Sequence, residues 1–131
     1  MEVSYFWDSY AVIEFEKGNP NYQIYSGKSV SMTVFNLAEI YWYFIDKFEQ
    51  DAEKLYDYYK ESVVKIPDEV LKEAVKFRRV NKKKDLSYAD CIGYVYALKN
   101  GMKFLTGDKE FEGLKNVEFV RWRDYRWDFL N

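Results

Sequence analysis

The sequence contains no histidine. That removes an imidazole general base, a serine–histidine triad and any histidine-containing zinc site. The single cysteine, Cys91, excludes a disulfide framework within one chain and fits a reducing, cytoplasmic compartment. No apolar run approaches bilayer length, so no membrane association is expected. Met1 to Asp8 carries early charge and lacks the basic lead and apolar stretch of a secretory signal. There is no internal repeat and no low-complexity linker. The glycine–lysine pattern of a phosphate-cradling loop is also missing around Gly107.

What remains for chemistry is a set of carboxylates, tyrosines and lysines, together with any hard cation that oxygen ligands would hold. The 131 residues suit one domain spanning 1–131, with 121–131 as an aromatic and basic tail. Apolar residues make up 48% and charged residues 32%, which argues against wholesale disorder. A net charge of −2 neither advertises nor excludes a nucleic-acid partner, because local charge decides that. Aromatics reach 21%, more than a small core readily hides, so some are expected at an interface.

Strand and helix signals alternate along the chain. Strands are expected at Val3–Trp7, Ser29–Val34, Val63–Ile66, Met102–Leu105 and Val117–Val120. Helices are expected at Ser9–Lys17, from Asn36 to about Gln50, at Asp51–Glu61, at Asp68–Val80 and from a Ser87 cap to Lys99, with a helical turn at Lys109–Gly113. Gly18, Asn19 and Pro20 stop the first helix, and Asn100 and Gly101 stop the Ser87 helix. This alternation predicts an α/β fold with a central, mainly parallel sheet. Such folds place their sites beyond the C-terminal ends of the strands.

Four acids fall at such places. Asp8 ends the first strand, and Glu39 opens the helix after the second. Asp90 lies in the first turn of the Ser87 helix, and Asp108 follows the strand Met102–Leu105. On a parallel sheet all four face one edge, among helix N-termini that offset part of their repulsion. Close carboxylates raise one another's pKa, and a divalent cation turns that repulsion into binding energy. A plainer role competes for each. Asn36 with Glu39, and Ser87 with Asp90, have capping-box spacing, while Asp8 and Asp108 also stand where helix caps do.

The segments Tyr5-Phe6-Trp7-Asp8-Ser9, Asn36-Leu37-Ala38-Glu39, Leu86-Ser87-Tyr88-Ala89-Asp90 and Phe104-Leu105-Thr106-Gly107-Asp108 together resemble the PIN-domain family, specifically its small VapC-like toxin ribonucleases. Lys109-Glu110-Phe111 and Asn116 to Val120 look like the usual ending. The resemblance implies a three-layer α/β/α PIN-like fold and a magnesium- or manganese-dependent endoribonuclease that leaves a 5′-phosphate and a 3′-hydroxyl. Asp8, Glu39, Asp90 and Asp108 match the family's acidic positions. It also implies a homodimer and a small antitoxin that blocks the active site and contacts DNA for autoregulation.

On this reading Asp8 and Asp108 are the first candidates to ligate the metal, Asp90 ligates it directly or through water, and Glu39 completes the shell or orients water. Ser9 and Thr106 are candidates to contact phosphate, with a helix cap and a turn contact as the plainer alternatives. Lys82, Lys83 and Lys84, following Arg78 and Arg79, are candidates to guide an RNA backbone, or simply form a solvated helix end. Arg121, Arg123 and Arg126 with Trp122 and Tyr125 form a second basic cluster, suited to stacked bases or to another subunit. Tyr41, Trp42, Tyr43 and Phe44 are consecutive and cannot all face one side of a helix, so part of that set is expected to meet a partner. Cys91 reads as a buried structural thiol.

Two other functional classes fit the same residues less fully. One is a housekeeping nuclease for RNA processing or decay. The other is a noncatalytic interaction protein in which the acids cap helices. A phosphotransfer receiver or haloacid-type phosphatase needs paired aspartates at the first strand, and here Asp8 is followed by Ser9 and Tyr10.

Overall fold

The computed structural model describes residues 2–121, so the tail expected to carry the second basic and aromatic cluster lies almost wholly outside the described residues. The strands are β1 Tyr5–Trp7, β2 Val30–Ser31, β3 Lys103–Thr106 and β4 Val117–Phe119. The helices are α1 Ser9–Glu16, α2 Pro20–Gln23, α3 Val34–Lys47, α4 Ala52–Lys60, α5 Asp68–Val80 and α6 Tyr88–Lys99, and a short 3-10 turn covers Lys109–Phe111. The sheet order is β2-β1-β3-β4, and every pairing is parallel.

Alternation along the two central strands builds the layers. Phe6 of β1 is paired with Phe104 of β3, and both side chains face α5 and α6. Trp7 and Leu105 are the next pair, and they point the other way, toward α1, α3 and α4. Both faces are therefore covered, as parallel sheets require. On the first face α6 lies close enough that a Cβ on Gly93 would stand 2.6 Å from the Phe6 ring. On the second, Val12, Leu37, Ile40, Phe44 and Tyr59 complete the core. The three-layer α/β/α architecture expected from the sequence is the one observed.

Two expectations for local structure need correction. The strand read at Val63–Ile66 is reduced to one parallel bridge between Met32 and Val63. After the Val64 N–H reaches the Met32 carbonyl at 2.8 Å, the chain turns through Pro67 into α5. The strand read at Ser29–Val34 shortens to Val30–Ser31, because α3 begins earlier than expected. Its cap is Thr33, not Asn36, and Asn36 occupies the third helical position. Among the described residues no helix is long and apolar enough to cross a membrane.

This topology fixes where a site belongs. The chain passes from β1 to β2 on one side and returns to β3 on the other. The strand order therefore reverses between β1 and β3, which opens a crevice beyond their C-terminal ends. Asp8 follows β1 there, its N–H still bonded to the Leu105 carbonyl at 3.0 Å.

Candidate functional site

Asp8 is buried in this crevice, 4% exposed. It holds the cap position of α1 but its carboxylate makes no cap hydrogen bond. Instead Asp8 Oδ2 accepts the Thr106 hydroxyl at 2.7 Å. The same Thr106 oxygen accepts the Asp108 N–H at 3.0 Å, so one wholly buried hydroxyl ties the ends of β1 and β3 together. The Asp108 carboxylate caps the short turn after it, accepting the Glu110 N–H at 3.0 Å.

Asp90 and Ser87 form a reciprocal capping box at the start of α6, with Ser87 N–H to Asp90 Oδ2 at 2.9 Å and Asp90 N–H to Ser87 Oγ at 3.0 Å. Glu39 behaves differently. Because α3 starts at Val34, Glu39 falls in the second turn and caps nothing, which overturns the capping-box pairing read between Asn36 and Glu39. Its Oε1 accepts the Ser9 hydroxyl at 2.6 Å.

The four acids act on one another. Burial, then Asp90, Glu39 and Asp108, push Asp8 from its ordinary 3.8 up to about 8, against the Thr106 hydrogen bond, which favours the ionised form. No basic side chain is among the groups that shift it. Glu39 and Asp90 are also raised, each by burial first. Tyr10 stands against the same cluster, its phenol pushed up to about 12 by burial and by Glu14, Asp108 and Asp8. Among the described residues no three of these acids are drawn together as a ready-made ligand set. The donor set is nevertheless all oxygen and anionic, the chemistry that magnesium and manganese take.

The family model of the PIN domain matches residues 5–117, from the first residue of β1 to the first of β4. The chain belongs to the PIN domain family. Among solved structures the PIN fold seen here is similar to a toxin–antitoxin complex from Klebsiella pneumoniae, at 16% identity and a TM-score of 0.71, over 87% of this chain and 95% of that one. It is also similar to VapC20 of Mycobacterium tuberculosis, described as a toxin that cleaves the sarcin–ricin loop, at 16% identity and a TM-score of 0.73, over 89% of this chain and 99% of that one. No curated protein sequence matches.

The other candidate residues of this PIN domain divide. Ser9 and Thr106 are both buried, with their hydroxyls engaged on Glu39 and Asp8. Lys82 and Lys83 are exposed, whereas Lys84 Nζ donates to the Glu110 carbonyl at 3.1 Å and so braces the turn after Asp108. Arg78 is likewise engaged. Its Nε donates to the Leu86 carbonyl at 2.8 Å, and its guanidinium lies 4.3 Å from the Tyr88 ring centre. Cys91 is buried, its thiol pushed up to about 11 mainly by burial, which leaves it inert.

The sequence reading missed three contributors. Asn36 and Thr33 brace Ser9 from beneath, and Tyr22 seals the site by donating to the Val120 carbonyl at 2.5 Å. Gly107 is needed for close approach. A Cβ there would lie 2.5 Å from both the Tyr10 ring and the Tyr22 hydroxyl, and 2.6 Å from the Val120 carbonyl oxygen. The Thr33-x-x-Asn36 spacing is a capping-box signal and was available. The Tyr22 contact joins residues 98 apart and had no local signature.

Proposed function

We propose that this PIN domain is a magnesium- or manganese-dependent endoribonuclease that hydrolyses RNA phosphodiester bonds and acts as a toxin restrained by a small antitoxin protein. The observation that carries this reading is Asp8. A carboxylate buried at a strand end, crowded by three other acids and shifted by no basic side chain, makes a metal-free fold less stable and gains a purpose when a cation is bound.

Asp8, Asp90 and Asp108 are the residues that would hold the cation, with Glu39 beside them to orient the water. When bound, a divalent cation supplies a Lewis acid for the phosphodiester and lowers the pKa of water beside it. The chain's own part is positioning. Thr106 fixes Asp8 and the start of the Asp108 loop at once. The Ser87 box fixes Asp90, and Ser9 fixes Oε1 of Glu39. Glu39 Oε2 has no protein partner among the described residues, and we assign it the proton released by the attacking water. Lys82 and Lys83, exposed before α6, would draw the RNA backbone toward the acids.

An antitoxin contact and self-association belong to the same reading. Phe35, Trp42 and Ile45 on α3 and Tyr58 on α4 leave large apolar area exposed, the kind of surface protein partners cover.

The test is cleavage of a mixed cellular RNA pool by wild type and by Asp8→Asn, each with magnesium, with manganese and with chelator. The expected result is metal-dependent fragments bearing 5′-phosphates from wild type alone. Equal fragments from both proteins, or none from folded wild type, would overturn the nuclease reading. Growth arrest on expression, relieved by a neighbouring small protein, is the result expected of a toxin, and normal growth would count for housekeeping RNA processing.

A further inference from the structure

Beneath Glu39 lies a buried chain of side chains that fixes the direction of every hydrogen bond in it. Asn36 is 1% exposed and Thr33 wholly buried. Asn36 Oδ1 accepts two donors, the Thr33 N–H at 2.9 Å and the Thr33 hydroxyl at 2.8 Å. An amide with its oxygen held by two donors must turn its nitrogen the other way. Asn36 Nδ2 accordingly donates to Ser9 Oγ at 2.9 Å. Ser9 then has an occupied acceptor and one hydrogen left, and that hydrogen goes to Glu39 Oε1 at 2.6 Å.

We propose that Asn36 is a positioning residue for the RNA-cleaving site: it orients the Ser9 hydroxyl as an obligate donor and thereby aims the Glu39 carboxylate. The proposal rests on the nuclease reading above and deepens it. Asn36 touches no reacting group, and its influence reaches Glu39 only through Ser9. A backbone cap is the competing role, since Asn36 also completes the capping box of α3. The two roles separate by chemistry. Aspartate at this position keeps an oxygen for Thr33 and so keeps the cap. Once ionised, it offers Ser9 no hydrogen, and it competes with Glu39 for the Ser9 hydrogen. Alanine removes the cap contact and the donor together.

The experiment compares Asn36→Asp, Asn36→Ala, Ser9→Ala and the double variant Ser9→Ala/Asn36→Ala, each for kcat, KM and thermal stability with manganese-loaded protein. Both Asn36 variants are expected to lose kcat on the order of tenfold with KM little changed at a pH that ionises the introduced carboxyl; Asn36→Ala loses stability at every pH through the cap, whereas Asn36→Asp loses it only as the pH rises and its buried carboxyl ionises. In the Ser9→Ala background the Asn36→Ala change is expected to cause no further loss of kcat. Loss of kcat that follows stability alone, or that adds fully on top of Ser9→Ala, would overturn the proposal. A second readout needs neither metal nor activity. In Ser9→Ala the Asn36 side-chain amide protons should exchange faster and the Glu39 side-chain resonances should shift, with the Thr33 amide still protected. Unchanged Glu39 resonances would also overturn it. An inactive wild type with these couplings intact would sink the nuclease reading and leave the aim of Glu39 by Asn36 standing.

Discussion

Asp8→Asn is expected to make the metal-free protein more stable at neutral pH while abolishing cleavage. Asp8 has an ordinary pKa of 3.8 and is raised to about 8 in the fold, by burial first and by Asp90 next. An acid with a higher pKa folded than unfolded binds its proton more tightly in the native state. Its contribution to stability is therefore complete below 3.8 and drains away as the pH rises toward about 8. At pH 7 the separation is about three units, and at about 1.36 kcal/mol per unit the ionisable side chain costs the fold about 4 kcal/mol. Asparagine escapes that penalty and keeps an oxygen for the Thr106 hydroxyl, now 2.7 Å from Asp8 Oδ2. Its new N–H group needs a partner, so the expected net gain at pH 7 is about 1–3 kcal/mol.

Urea unfolding of both proteins in chelator, from pH 4 to pH 8, measures this. The stability advantage of Asp8→Asn should be greatest near pH 8 and shrink steadily toward pH 4. Manganese should then stabilise wild type by an amount that rises with the logarithm of its concentration above Kd, and leave the variant unchanged. A variant that is no more stable than wild type at pH 7, or a difference that does not vary with pH, would refute the argument that Asp8 is held against its own solvation.

Three further changes probe the neighbours. Gly107→Ala places a Cβ 2.6 Å from the backbone oxygen of Val120 and 2.5 Å from two tyrosines, so a loss of about 1–3 kcal/mol is expected in the same unfolding assay, with weaker cleavage. Thr106→Val removes the donor to Asp8 and the acceptor of the Asp108 N–H, and should lower kcat more than Thr106→Ser does in parallel kinetics. The double change Lys82→Glu/Lys83→Glu reverses two exposed charges, and fluorescence anisotropy with single-stranded RNA should show weaker binding and a flatter salt dependence, with stability unaltered.

Much of the fold was legible because its signals are local and redundant. Helix periods between short apolar strands implied a parallel sheet covered on both faces, and Phe6/Trp7 against Phe104/Leu105 realise it. The errors came where a β-branched run had to be given an end. The sign that Thr33 turns its hydroxyl to α3 is its spacing to Asn36, which lies beyond the β-branched run itself, and nothing within Val63–Ile66 reveals that Pro67 follows a single bridge. The acids were legible by position, one after each strand end or helix start. Of their supports only the Ser87 box at Asp90 was. Thr106 meets Asp8 across 98 residues and Asn36 meets Ser9 across 27, and such pairs exist only once the layers have packed.

Capping and the proposed chemistry do not compete for the same atoms, because a carboxylate has two oxygens. Asp90 and Asp108 do cap, each through a single oxygen: Oδ2 on the Ser87 N–H and Oδ1 on the Glu110 N–H. Asp8 and Glu39 do not cap, and each gives one oxygen to a hydroxyl instead. All four therefore keep a second oxygen without a protein partner among the described residues. The backbone cap and the hydroxyl bond are what aim that second oxygen, since a carboxylate held at one oxygen has lost most of its rotation. Capping thus leaves each side chain an oxygen for the proposed metal chemistry. Asp8, at the cap position of α1, and Glu39, in the second turn of α3, spend neither oxygen on a helix end, so no capping role accounts for their charge.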